Sequence, residues 1–408
     1  MKYHLIGASV ADSYSPLVHS FMSTEYDALS LDISSATKFV KSGEYSGLNV
    51  TSPYKKMVLP LLDEIETAAK SVGAVNTIKV ENGKKSGYNT DIEGFLYAVG
   101  RRGYSLFGKS VLILGSGDTK DTITYACRKS GAKSVEFVSR SGKVNYENCY
   151  QLKDTQVLIN ATPVGSKARF FDQTVTLEKF DNLEFVFDCG YNPLRSPLII
   201  KAKRLGISVG YGLDMLVCQA VRSEDIWFDR KTPLEEIDAL IEKVRKKVLN
   251  ICLIGMPSSG KTTVGERLSE KLCKPFIDTD RLFFEREGIS PEDYIVKFGE
   301  SSFRIAENRL IEGLLGVNGS VIASGGGSLL NDRNAQILTS NAMTVCLERD
   351  LDKLDERFRP LSAAYGVKKL YDQRRPVYQT NADAVVSNDG KIEDTVMEII
   401  KAYEDFSR

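Results

Sequence analysis

The run VLNICLI, Val248–Ile254, passes without interruption into GMPSSGKT, Gly255–Thr262. Val264, Leu268 and Leu272 then recur at helical spacing. An apolar strand, a glycine loop and an amphipathic helix in that order are the setting that the pattern GxxxxGK[ST] requires. Gly255 and Gly260 let successive backbone amides curl around phosphate oxygens, and the start of the next helix adds the positive end of its dipole. Lys261 is placed to reach the β- and γ-phosphates and Thr262 to hold a magnesium ion. The loop therefore predicts a P-loop domain built on a parallel sheet from residue 249 to 408, with Gly255, Ser259, Gly260, Lys261, Thr262 and Thr263 around the phosphates of a nucleotide. The competing reading, a glycine-rich turn without nucleotide, does not account for the flanks.

Downstream, FIDTD (Phe276–Asp280) closes a short strand with two carboxylates two positions apart. If the chain stays extended, Asp278 and Asp280 share a side, one ordering magnesium water and the other touching an acceptor hydroxyl. Arg304 in GESSFR and Arg374 in RRPVY offer two guanidiniums for one carboxylate. Gly325, Gly326 and Gly327 follow the apolar strand SVIAS, where something must approach the backbone closely. In this order the segments, together with RPL at Arg359, resemble shikimate kinase over residues 250 to 405. The resemblance implies that Asp280, Arg304, Gly326, Gly327 and Arg374 bind shikimate. It also implies that Asp278 joins Thr262 at the magnesium ion, and that Lys261, Asp280 and a lid arginine, Arg359, serve the transfer. RRPVY departs from the usual RxPLY by Val377, and the alignment of Pro376 selects Arg374 over Arg375.

Upstream of the loop, Thr232, Pro233 and Glu235 read as an N-cap, a first-turn proline and a capping box. Leu234, Ile237, Leu240, Ile241, Val244 and Val248 follow at helical spacing, and the helix ends in the basic run Lys243–Lys247. Little flexible linker separates the P-loop domain from what precedes it. Between residues 101 and 210, strand candidates Ser110–Leu114, Ser134–Val138, Val157–Ile159 and Phe185–Phe187 alternate with helical or turn-rich sequence, as in a doubly wound dinucleotide lobe. Its glycine loop, Gly115, Ser116, Gly117 and then Asp118-Thr119-Lys120, lacks the third glycine of the fingerprint. Asp118 is unwelcome beside a pyrophosphate unless its side chain turns away to cap the helix. Ser139, Arg140 and Ser141 close the next strand, where a basic residue with hydroxyls suits the 2′-phosphate of NADP and an acidic one would suit NAD.

Residues 1 to 100 form a further lobe, completed by about 211 to 248. It holds short strands such as Tyr3–Ile6 and Gly47–Val50 and an expected helix over Leu61–Lys70. SYSP at Ser13, GLNVTSPYK at Gly47, GAVNT at Gly73, GYNTD at Gly87, NATPVG at Asn160, DCGYNP at Asp188 and GLDMLVCQA at Gly212 resemble, in family order, shikimate dehydrogenase over about residues 3 to 227. The resemblance implies substrate held by Ser13, Ser15, Thr51, Asn76, Asp91 and Gln219, a catalytic pair of Lys55 and Asp91, and Asn160 and Thr162 beside the NADP(H) cofactor. The pair also makes chemical sense alone. Reducing a ketone creates an alkoxide that needs a proton donor, and His4 and His19 are the only histidines. Asp12 stands where the family usually has histidine.

Composition narrows the partners. The 408 residues are 42% hydrophobic and 26% charged, with 54 basic against 54 acidic side chains, so nothing asks for a nucleic-acid partner. The seven cysteines are scattered without a CxxC pair and read as reduced thiols of a cytoplasmic protein. MKYHLIG begins a strand rather than a signal peptide, and no apolar run suits a membrane. No segment specifies an oligomeric state. The expectation is an α/β chain in which a two-lobed dehydrogenase is fused to a P-loop kinase, reducing 3-dehydroshikimate and phosphorylating the shikimate formed. Two variants compete with it: a front half that also accepts quinate, and a kinase-like half that senses shikimate without turnover.

Overall fold

The computed structural model describes residues 2–172, 175–354 and 367–407; Arg359 and the RPL segment lie outside them. The chain divides into two compact units, Met1–Val244 and Arg245–Arg408.

The first unit holds two sheets. One comprises β1 (Tyr3–Gly7), β2 (Tyr26–Ser30), β3 (Gly47–Val50), β4 (Glu64–Ile65), β5 (Thr77–Glu81) and β6 (Lys84–Tyr88), in the order β2-β1-β3-β5-β6-β4. The β2-β1-β3 part is parallel, and β5 turns antiparallel to both β3 and β6. All of β3 is buried, which fits its run of Leu48, Asn49 and Val50. The second sheet is all parallel: β7 (Ser110–Leu114), β8 (Ser134–Val138), β9 (Val157–Asn160), β10 (Phe185–Asp188) and β11 (Ser208–Tyr211), ordered β11-β10-β9-β7-β8. Strand order reverses between β7 and β9, so their carboxyl ends open the crevice where such sheets bind ligands. Phe95 on the helix Asp91–Arg101 meets Phe187 of β10 edge to face, in a core that also takes in Ile113 and Ile159.

In the second unit β12 (Asn250–Ile254), β13 (Phe276–Asp278), β14 (Val321–Ala323), β15 (Ala342–Glu348) and β16 (Ala384–Ser387) form one parallel sheet, ordered β13-β14-β12-β15-β16. β12, central and wholly buried, delivers the glycine loop to the helix Lys261–Leu272. The α/β class expected from sequence, with a doubly wound lobe and a P-loop sheet, is the observed one.

Three local expectations change. Leu61–Lys70 is not one helix: a short 3₁₀ turn at Leu59–Leu61 and the strand β4 precede a helix that begins only at Thr67, capped by the Glu66 side chain on the Ala69 amide. Thr232 does not cap its helix: the helix runs Leu234–Val248, so Pro233 stands between them, and the Thr232 hydroxyl donates to Asp225 at 2.6 Å. Its Asp238 instead receives Tyr97 and the Arg101 Nε, each at 2.6 Å. FIDTD does not stay extended. The chain turns into the helix Thr279–Glu287 directly after Asp278, whose carboxylate takes the amides of Asp280 and Arg281. Among the described residues no helix is long and apolar enough to cross a membrane.

Candidate active sites

β3 ends in a turn that presents Thr51 and Lys55, while the helix Asp91–Arg101 starts with Asp91 beneath them. Lys55 Nζ donates to Asp91 Oδ2 at 2.6 Å, with both residues buried. Around this pair lies a cavity of about 400 Å³ lined by Ser13, Ser15, Thr51, Asn76 and Gln219 as well as Lys55 and Asp91. The two serine hydroxyls lie 3.2 Å apart, and Asn76 donates to Thr90 Oγ1 at 2.9 Å and to Gln219 Oε1 at 3.2 Å. The wall is thus short hydroxyls and amides around one ammonium, a lining that suits a small polyhydroxylated acid. Tyr191 and Cys189 also line the cavity, and the Tyr191 hydroxyl lies 3.4 Å from Ser13 Oγ. Burial raises both of their pKa values, so neither is a ready base.

The crevice of the nucleotide lobe carries the other predicted group. Gly115 sits at φ 118°, and a β-carbon there would come within 3.1 Å of the Ala161 carbonyl. Glycine is needed where β7 passes so close to the loop after β9. Gly117 starts the helix Asp118–Lys129, with Ser116 and Gly117 exposed and open space where a Gly117 side chain would be. Asn160 Oδ1 accepts the Thr162 hydroxyl at 2.6 Å, and its amide donates to Asp188. Burial pushes the Asp188 carboxyl up to about 6, against hydrogen bonds from Ser196, the Gly190 amide and Asn160. Arg140 is exposed just beyond β8, and Ser139 is half-buried beside it. Asp118 does not cap its own helix; it faces Lys56 Nζ at 3.4 Å.

In the second unit Gly255 and Gly260 take φ values of 140° and 94°, and the Lys261 ammonium folds over the loop onto the carbonyls of Gly255 and Met256 at 3.1 and 2.8 Å. Thr262 Oγ1 donates to Asp278 Oδ2 at 2.6 Å, which brings together the two residues expected at a magnesium ion. Ser259 Oγ, in the loop just before Gly260, is buried without a hydrogen-bond partner. Thr263 follows Thr262 in the first turn of the helix Lys261–Leu272. Beside the Gly325–Gly327 turn, Arg304 is braced by Glu307 at 2.7 Å and Glu300 at 3.2 Å. A β-carbon on Gly327 would come within 2.5 Å of Arg304, one on Gly326 within 2.8 Å of Pro257, and one on Gly325 within 3.2 Å of Asp280 Oδ1. The glycine turn therefore sits in direct touch with Asp280, Arg304 and the phosphate loop. Arg374 is 3% exposed with its Nε unpartnered, whereas Arg375 is exposed and lies over the Tyr371 ring. Tyr378, one turn beyond Arg374, donates to the Gly326 carbonyl.

Comparison with known proteins follows this division. Residues 5–78 match the family model of the shikimate dehydrogenase substrate binding domain, and residues 257–404 that of shikimate kinase. An NADP(+) shikimate dehydrogenase of Caldicellulosiruptor bescii is 33% identical over 261 residues, which is 56% of this chain and 89% of the relative. The chain belongs to the shikimate dehydrogenase family. Behind that enzyme it carries a shikimate kinase domain. The crystal structure of shikimate dehydrogenase 1 from Peptoclostridium difficile superposes with a TM-score of 0.56 at 28% identity, covering 60% of this chain and 98% of that one. The Thermus thermophilus enzyme, solved in complex with NADP(H) and shikimate, gives 0.54 at 26% identity, covering 60% and 99%.

Several side chains that shape these sites were not singled out from sequence. In the dehydrogenase, Asn49 is a buried part of the cavity wall and donates to Thr77 and Ser223 while accepting the Tyr26 hydroxyl. In the kinase domain, Asn388 and Arg349 donate to the Ser259 and Ser258 carbonyls and so hold the phosphate loop from the ends of β16 and β15. Glu307 ties Arg304 to Ser328 Oγ. Asn388 and Arg349 act over long sequence separations, whereas Asn49 within GLNVT and Glu307, one helical turn from Arg304, lay inside segments the sequence had already marked.

Proposed function

We propose that the first unit reduces 3-dehydroshikimate to shikimate with NADPH, and that the second transfers the γ-phosphoryl group of ATP to shikimate. The observation that carries the reading is the Lys55–Asp91 pair inside a cavity lined by Ser13, Ser15, Thr51, Asn76 and Gln219. The bound nicotinamide supplies the hydride. Lys55 Nζ supplies the proton to the oxygen that becomes the new hydroxyl, and Asp91 orients the ammonium and accepts from a neighbouring substrate hydroxyl. Ser13, Ser15 and Gln219 hold the rest of the acid in place, which keeps the reacting carbon aligned.

The residues at the crevice fit a dinucleotide: Gly115 leaves no side chain at the closest approach, Gly117 opens the helix start, and Asn160 and Thr162 pair beside it. Ser139 and Arg140 at the end of β8 favour NADPH over NADH. In the kinase, Gly255, Ser259, Gly260, Lys261, Thr262 and Thr263 would hold the ATP phosphates, and Thr262 with Asp278 the magnesium ion. Arg304 and Arg374 clamp the shikimate carboxylate, with Gly326 and Gly327 beneath the ring and Asp280 receiving the acceptor hydroxyl's proton. Arg359 is the lid arginine of this reading. The scattered, unpaired cysteines are in keeping with a cytoplasmic enzyme.

The test is an assay of the whole chain with dehydroshikimate, NADPH and ATP, each omitted in turn. Shikimate should form without ATP, and shikimate phosphate only when ATP is present. Reduction of dehydroshikimate without later phosphorylation would favour a kinase-like domain that only senses shikimate, and would refute this reading of the second unit.

A further inference from the structure

The run GSGDTKD, Gly115–Asp121, puts Asp118 and Asp121 in the first turn of the helix Asp118–Lys129, where a dinucleotide pyrophosphate would settle. Two carboxylates there repel a pyrophosphate and offset the favourable end of the helix dipole. Neither is left unmatched. Lys56, the residue after Lys55 on the substrate lobe, reaches across to place its ammonium 2.8 Å from Asp121 Oδ2 and 3.4 Å from Asp118 Oδ1. Lys120 pairs with the other oxygen of Asp121 and rests over the Phe137 ring at 4.6 Å. Thr119 of the same helix turn lines the cavity that holds Lys55 and Asp91, so this cluster borders the reaction site. The charge sum is plain: Asp118 and Asp121 against Lys56 and Lys120 gives zero, and without Lys56 the helix start carries a net negative charge.

We propose that Lys56 is a positioning residue for the dinucleotide, acting through Asp118 and Asp121: it neutralises the carboxylates that this chain carries in its glycine-loop helix, and thereby keeps the site open to a pyrophosphate. The inference rests on the dehydrogenase reading above and deepens it, because it says how this enzyme tolerates a departure from the glycine fingerprint. It also ties the substrate lobe to the nucleotide lobe at the cofactor's own position.

The experiment is equilibrium binding on the full chain, with NADP+ and shikimate titrated separately by calorimetry and melting temperature followed in parallel. Lys56→Met keeps the length of the side chain and removes its charge. Lys56 is half exposed, so the fold should tolerate the change. NADP+ binding should weaken by about 10-fold at low ionic strength and by less at high salt, since exposed charges are screened. Shikimate binding and melting temperature should stay at the parent values. Adding Asp118→Asn and Asp121→Asn to K56M should restore NADP+ affinity to within about three-fold of the parent, because the carboxylates to be neutralised are gone. Equal NADP+ affinity in parent and K56M overturns the inference. So does a loss that the two asparagines fail to rescue, which would mean that Lys56 touches the nucleotide itself. A parent chain that binds shikimate but no dinucleotide overturns the dehydrogenase reading and this inference together, and is thereby distinguished from failure of the inference alone.

Discussion

Lys55 and Asp91 lie 36 residues apart in sequence, yet their Nζ and Oδ2 atoms meet at 2.6 Å. The turn after β3 supplies the lysine and the first residue of the helix Asp91–Arg101 supplies the aspartate. The Lys55 carbonyl also accepts the Val75 amide at 2.9 Å, so the backbone under the lysine is fixed as well as its tip. In the proposed reduction, this geometry fixes the one place in the cavity where Lys55 delivers its proton.

Replacing Lys55 with Ala should therefore lower the turnover of dehydroshikimate by ~10²-fold or more, the range for loss of a positioned proton donor. Phosphorylation of added shikimate should be unchanged. Steady-state rates of both reactions check this, and a mutant reductase within a few-fold of the parent would remove Lys55 from the mechanism.

Arg140 stands exposed beyond β8 with Ser139 and Ser141 on either side and no carboxylate for a bare ribose diol. Arg140→Ala should raise the KM for NADPH by about 10-fold or more while moving that for NADH little, since the charge-assisted contact exists only with the 2′-phosphate. Kinetics with both cofactors on parent and mutant decide it. Equal use of the two cofactors by the parent would make Arg140 an ordinary surface charge.

Much of the architecture could be read in advance because buried parallel strands announce themselves as apolar runs: β7, β12 and β3 fall where Ser110–Leu114, VLNICLI and GLNV predicted them. Two of the misread places are those where a polar side chain has two possible partners. Asp278 takes helix amides and so ends its strand, and Thr232 prefers Asp225 to the helix start behind it. Glu64–Ile65 is a strand only because β6, about twenty residues on, pairs with it. Among the candidate site residues, motif order brought together those that line the cavity, whereas for Asp118 the sequence left open only whether its side chain turns away to cap the helix. Its actual neighbour, Lys56, belongs to another lobe, and no local pattern encodes that meeting.

Gly327 offers a test of the acceptor site by size alone. An alanine there would place its methyl carbon 2.5 Å from an Arg304 nitrogen, and the flexible guanidinium would have to give way. Gly327→Ala should fold normally but raise the KM of the kinase for shikimate by about 10-fold, as expected when one charge-assisted contact is displaced. The KM for ATP should hold. A kinase with parental shikimate KM would show that Arg304 does not touch the acid.

Arg374 and Arg375 separate two readings of the kinase clamp. Shikimate is compact, with a carboxylate at one end and hydroxyls at the other, so holding the carboxylate sets the acceptor hydroxyl in line with the phosphoryl group. A guanidinium does this with a fork of two hydrogen bonds that a lysine cannot reproduce. Arg374 is buried with an unpartnered Nε, one turn of helix from Tyr378, which in turn reaches Gly326; Arg375 points out over Tyr371. Burying a guanidinium with an unmatched donor is costly, and a bound carboxylate nearby would offset that cost. Arg374→Lys should accordingly raise the shikimate KM by ~10-fold or more while leaving the ATP KM nearly unchanged, whereas Arg375→Lys should be within about two-fold of the parent for both. Both constants measured on both variants give the answer. Sensitivity at Arg375 instead would move the clamp by one residue, and indifference at both would take this helix out of shikimate binding altogether.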